Sequence, residues 1–127
     1  IKKACQILNS SKIRVSLFID PDIQQIDATL ETSASVIELH TGAYADADES
    51  KKQYELNRII KSACYASDKG LIVHAGHGLN YQNVIEIAKI GVIQELNIGH
   101  SIIARAAFEG LDEAIVKMIK LINQTRV

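Results

Sequence analysis

The sequence predicts an α/β fold, a parallel sheet with helices packed outside it. Three observations carry that expectation. Short apolar runs of strand length alternate with amphipathic stretches of helical spacing along the 127 residues. Polar residues gather where the apolar runs end. Glycine and the single proline sit mostly at junctions between segments. Alternation of this kind gives parallel strands joined by right-handed crossovers.

The segments follow in order. Ile1, Ala4, Cys5 and Leu8 repeat at helical spacing, and Ser10-Ser11 closes that stretch. Val15 to Ile19 reads as a buried strand. Asp20 is positioned to cap the next helix, with Pro21 in its first turn and Ile23, Ile26 and Leu30 on one face. Val36 to Thr41 is the second strand, and a polar loop runs from Gly42 to about Ser50. A helix over 51–68 turns Leu56, Ile59, Ile60 and Ala63 inward and ends at Gly70. Leu71 to Ala75 is the third strand, leading into Gly76-His77-Gly78. Asn80 is the expected cap of a short helix bearing Val84, Ile87 and Ala88. Glu95 to Ile98 is the fourth strand, leading into Gly99-His100 and a short helix over 101–108. After Gly110, Leu111, Ile115, Met118 and Ile122 mark the last helix.

Four β/α units make either a small open sheet or half of an eight-unit barrel, which takes about 250 residues. The opening on Ile1, already in a helix, favours the half barrel, a single partial domain over 1–127. Such a half would leave two open strand edges and an uncovered apolar layer.

Composition narrows the function. Hydrophobic residues make up 47% and charged residues 23%, enough to bury a core. The formal charge is −1, from 14 basic and 15 acidic residues, and no basic stripe argues for nucleic acid. Cys5 and Cys64 read as two small buried thiols, with no CxxC spacing for zinc or redox work. No signal peptide and no long apolar run is present, so a cytoplasmic setting is expected, without disulfides.

The polar residues then single out one face. Glu38, His40 and Thr41 end the second strand, His74 and His77 the third, and Asn97, Gly99 and His100 the fourth. In α/β folds ligands bind at the C-terminal ends of strands. Period-two alternation turns Glu38, His40 and Asn97 to the side opposite Ile37, Leu39, Leu96 and Ile98. A carboxylate in an apolar strand is costly unless it is paired or used, so Glu38 is a catalytic or substrate-holding candidate, or half of a structural ion pair. His77 between two glycines suits proton transfer near neutral pH. Gly99-His100 at the start of a helix suits a phosphate, because backbone N–H groups and the helix dipole face an anion. The plainer alternative is an ordinary strand-to-helix turn. The four histidines lack His-x-His or His-x3-His spacing, and no metal is expected. Asp46, Asp48 and Glu49 read as a solvated loop.

Four stretches together resemble a known family. Ser16-Leu17-Phe18-Ile19-Asp20 resembles the fifth strand of pyridoxine 5'-phosphate synthases, and Ile37 to Ala45 their sixth strand and loop. Val73-His74-Ala75-Gly76-His77-Gly78-Leu79 and Glu95 to Ile103 resemble the seventh and eighth. The resemblance covers nearly the whole chain in the right order. It implies the C-terminal half, strands five to eight, of a (β/α)8 TIM barrel with an extra short helix after the last strand. It implies condensation of 1-deoxy-D-xylulose 5-phosphate with 3-amino-2-oxopropyl phosphate, closing the ring of pyridoxine 5'-phosphate, without cofactor. By motif, His77 matches the proton donor and Glu38 a carboxylate that stabilises developing charge. Gly78, Gly99 and His100 match contacts to the amino-ketone phosphate. Position 74 is His where the family pattern has Asn. The family's first four strands, with another catalytic His and Glu, lie outside this sequence, so these residues alone should be inactive. The resemblance also implies a symmetric homo-oligomer, an octamer. Two alternatives remain at this level: a sugar-phosphate isomerase or epimerase, and a non-catalytic half-barrel assembly module.

Overall fold

The computed structural model describes residues 1–125. Their elements run α1 (Lys2–Ser10), β1 (Ser16–Ile19), α2 (Ile23–Leu30), β2 (Val36–His40), α3 (Gly42–Ala45), α4 (Glu49–Asp68), β3 (Ile72–Gly76), α5 (Val84–Ala88), β4 (Ile93–Asn97), α6 (His100–Glu109) and α7 (Leu111–Asn123). The strands form one parallel sheet in the order β1-β2-β3-β4. This is the α/β class and the parallel pairing that the alternation predicts.

One sheet face is packed and the other is bare. Ile37 and Leu39 of β2, Val73 and Ala75 of β3 and Ile93 of β4 share a core with Ile26 of α2, Leu56, Ile59, Ala63 and Ala66 of α4, and Ile87 of α5. The opposite face carries Ser16 and Phe18 of β1, Val36, Glu38 and His40 of β2, His74 and Gly76 of β3, and Glu95 and Asn97 of β4, with Phe18 in register with Glu38, Glu38 with His74 and His74 with Glu95. Phe18 is 56% exposed there. The open part of this face is mostly polar, with Phe18 its exposed large apolar side chain, while Val36 and His74 on the same face are buried.

A bulge decides which β4 side chains reach the bare face. Val73 pairs with Ile93, but His74 pairs with Glu95, so Gln94 is an extra residue. The bulge restores alternation such that Ile93 and Leu96 face the helices while Glu95 and Asn97 face away. Without it, Glu95 would share the side of Ile93.

Several local expectations change. Asp22, not Asp20, caps α2, its carboxylate accepting from the Gln24 N–H at 2.7 Å. Pro21 lies before the cap. The stretch read as a loop after Thr41 contains the single-turn helix α3, and α4 begins at Glu49 under an Asp48 cap. Ile60 is 38% exposed and Cys64 is exposed as well. Each follows an inward position, Ile59 or Ala63, by one residue and so lies about 100° round the helix. Asn80 caps a turn rather than α5 itself. Its side chain accepts from the Gln82 and Asn83 N–H groups, and Asn83 Oδ1 accepts from the Asn80 N–H in return. Cys5 is buried as expected, and it is the residue that α1 buries. Among the described residues no helix is long and apolar enough to cross a membrane.

Candidate active site

The strand ends open into a cavity of about 610 Å³. Phe18 comes from β1 and Glu38 from β2. His77 to Asn80 come from the turn after β3, and Asn97 to Ser101 from the end of β4 and the start of α6. Glu38, His77, Gly78, Gly99 and His100, the five residues singled out by sequence, all line it.

Glu38 is held by an amide rather than by an arginine or lysine. Asn97 Nδ2 donates to Glu38 Oε2 at 2.8 Å across the intervening strand β3. That reach is possible because β3 presents Gly76 between them. A Cβ on Gly76 would collide with Glu38 Oε1 and lie 2.9 Å from the Asn97 carbonyl oxygen. The glycine is therefore a packing requirement of the carboxylate. Half-buried Glu38 keeps one edge open to the cavity.

The turn carrying His77 is strained. His77 has φ 78° and Gly78 φ 77°, two consecutive left-handed residues. A non-glycine residue there costs on the order of 1–2 kcal/mol. Thr41 stabilises the turn from β2: its hydroxyl lies 2.8 Å from the Gly76 carbonyl and 2.6 Å from that of His77, and its N–H donates to Gly76 as well. The helix α3 supports it from below. Tyr44 of α3 donates to the Asn83 carbonyl at 2.9 Å, and burial, with Glu86 nearby, holds its phenol above the usual value, so it remains a donor. Gly78 presses on α3, where an added Cβ would sit 2.6 Å from Ala45 Cβ.

Beside His77 stands a second ring. The His40 and His77 ring centroids are 4.7 Å apart, and Phe18 meets His40 edge-on at 5.0 Å. Asp20 Oδ1 lies 3.3 Å from His40 Nδ1. Lower on the same face, buried His74 approaches Glu95 at 3.6 Å. Among the described residues no group of three or more His, Cys, Asp or Glu side chains could hold a metal ion.

The α6 N-terminus closes the other side. Gly99 is its N-cap without a capping side chain, so the first N–H groups have no acceptor within the helix. Three contacts fix the helix in position. Ser101 Oγ donates to the Leu79 carbonyl at 2.8 Å, Arg105 stacks 4.3 Å over the Tyr81 ring, and Tyr81 donates to the Ala114 carbonyl of α7 at 2.8 Å. A Cβ on Gly99 would meet no atom within 4 Å. Sequence reading passed over Phe18, Asn80 and Ser101 as site residues. For Phe18 the signal was present, because alternation puts it on the same side as Glu38.

The family model for the pyridoxal phosphate biosynthesis protein PdxJ matches residues 1–124. The chain belongs to the PdxJ family. Among its relatives, the pyridoxine 5'-phosphate synthase of Sulfurihydrogenibium sp. is 56% identical over 126 residues, covering 99% of this chain and 52% of that protein. That of Aliivibrio fischeri is 55% identical over 127 residues, with 99% and 52% covered. That of Legionella pneumophila (strain Corby) is 52% identical over 128 residues, with 100% and 52% covered. The chain spans about half the length of these curated relatives. None of them supports the isomerase, epimerase or assembly-module alternatives.

Proposed function

We propose that the protein carrying this chain is a pyridoxine 5'-phosphate synthase. It joins 1-deoxy-D-xylulose 5-phosphate to 3-amino-2-oxopropyl phosphate and closes the pyridine ring with loss of water and inorganic phosphate. One observation carries the reading. Glu38, His77 and the α6 N-terminus border a single cavity in a chain 52–56% identical to PdxJ-family proteins of that name. The four strands are read as strands five to eight of a (β/α)8 barrel, which accounts for the bare sheet face and for the half-length match. The resemblance extends the proposal to a cytoplasmic homo-oligomer.

The roles follow from chemistry at each position. Ring closure with loss of water needs protons moved to departing oxygen, and the His77 imidazole serves as donor. The Glu38 carboxylate, steadied by Asn97, stabilises positive charge that develops on the condensing amino ketone. The amino-ketone phosphate lies against the backbone N–H groups of Gly99, His100 and Gly78, where the helix dipole favours an anion.

The test is to express the complete reading frame and follow pyridoxine 5'-phosphate formation from the two substrates. His77→Ala should lower turnover by about 10²–10⁴ while the fold persists. Gly99→Asp, whose side chain enters open space, should raise KM for the amino-ketone phosphate by about tenfold or more, as expected for a carboxylate in a phosphate site. No product from the folded wild-type protein would reject the proposal, and an unchanged KM in Gly99→Asp would reject the phosphate position.

A further inference from the structure

We propose that His40 and Asp20 are positioning residues for His77: the Asp20 carboxylate fixes the His40 ring, and contact with that ring sets the rotation of the His77 imidazole over the cavity. This rests on the reading of His77 as the proton donor.

The His77 imidazole needs an external guide. Its backbone sits in a left-handed turn between two glycines, where neighbouring side chains offer no walls. Among the described residues its ring accepts or donates no hydrogen bond, and its contacts are with the rings of His40 at 4.7 Å and Phe18 at 6.4 Å. Proton transfer tolerates only about 10–20° of misorientation before efficiency falls.

His40 is built to supply that guide. Its ring has neighbours on three sides: Phe18 meets it edge-on at 5.0 Å, the His77 ring lies 4.7 Å away inclined at 50°, and Gly42 passes beneath. A Cβ on Gly42 would stand 2.8 Å from His40 Cε1 and Nε2 and 3.2 Å from His77 Cδ2, so the missing side chain makes room for both rings at once. Asp20 holds the remaining side at 3.3 Å from Nδ1. Asp20 itself is anchored, since its N–H donates to Gln25 Oε1 at 3.0 Å and Gln25 Nε2 donates back to its carboxylate at 3.4 Å. Asp20 does not cap the following helix, because Asp22 does. Its carboxylate is thereby left for His40. The carboxylate beside Nδ1 gives the ring a fixed neighbour on that side and so limits its rotation.

The test uses the complete protein, with turnover measured below the thermal midpoint of each variant. Asp20→Asn removes charge from an exposed side chain and should leave the fold intact. It should shift the imidazole NMR signal of His77, which Asp20 does not touch. It should also lower kcat about three- to tenfold with KM for both substrates within about twofold. His40→Ala should lower kcat about 10- to 100-fold, again with little change in KM. Adding Asp20→Asn to His40→Ala should cost nothing further, because the carboxylate acts through the ring. Wild-type kcat in either single variant, an unmoved His77 signal in Asp20→Asn, or losses that multiply in the double variant would overturn the inference. Should His40→Ala fail to fold, the Asp20→Asn signal and kcat decide alone. Failure of the functional reading looks different, since the wild-type protein would then make no product.

Discussion

His77 and Gly78 differ in how they tolerate the same backbone. Both have φ near 78°, as 78° and 77°. Only Gly78 also lacks room for a side chain, with Ala45 Cβ 2.6 Å from where its own Cβ would be. Gly78→Ala therefore adds conformational strain to a clash. It is expected to destabilise the protein by about 1–3 kcal/mol. Gly99 has φ −117° and open space around it, so Gly99→Ala should leave stability nearly unchanged. Comparing the two thermal midpoints in the complete protein checks this, and equal shifts would contradict it. At this scale the sequence was informative wherever a residue type was out of keeping with its segment. Glu38 in an apolar strand and His77 between glycines stood out for that reason. Thr41 did not, because a threonine ending a strand looks ordinary until its hydroxyl is seen against the carbonyls of Gly76 and His77. The pairing of His40 with His77 was equally hidden, since the two come from the ends of different strands and ring contacts leave no periodic trace.

Among the elements, legibility followed the source of stability. The helices over α2, α4 and α7 are amphipathic and were foreseen from their apolar spacing. α3 was read as loop because a four-residue helix cannot stabilise itself in isolation. It persists through the buried Tyr44 ring and its bond to Asn83. The early start of β4 was missed because the bulge at Gln94 breaks alternation where the strand begins. α6 raises a separate question, since none of its residues is buried. One ion pair, Glu109 to Lys117, joins it to α7. Glu109 accepts from Arg105 at 2.6 Å and from Lys117 at 2.9 Å, and Lys117 also reaches Glu113 at 3.4 Å. The Lys117 bond, then Arg105, hold the Glu109 carboxyl below the usual range, and Glu109 holds the Lys117 ammonium above its own. A carboxyl depressed in the folded state contributes stability that is fully present above its unfolded pKa and is lost as pH falls through the folded one. The raised ammonium contributes at lower pH and loses its share only in strong alkali. Glu109→Gln should therefore lower neutral-pH stability slightly and flatten the acid limb by the same small amount, given its exposure to solvent. Urea midpoints measured across acidic pH would test this, and an acid limb identical to the wild type would reject it.

For the molecule as a whole, α/β class and strand order were legible because every unit alternates in the same sense. The cavity was legible as a face, through polar residues at strand ends, but not as a volume, which depends on how α6 is held against the segment after β3. The bare sheet face has a functional corollary. Glu38 and His77 border a site open on the side of Phe18, where water enters freely. Condensation and dehydration need water kept out. The isolated 127-residue chain is therefore expected to give no measurable pyridoxine 5'-phosphate under conditions where the complete protein turns over. Turnover by the purified chain alone would show that its own residues suffice.

The order β1-β2-β3-β4 has a consequence for the way the chain comes together. Among the described residues each strand pairs only with strands next to it in sequence. Ser16 meets Val36, Val36 meets Ile72, and Val73 meets Ile93. The closure entropy of the connecting segments grows only slowly with their length. Pairing between sequence neighbours keeps the contacts of this four-strand unit sequential along the chain, a pattern that favours fast formation over long-range closure.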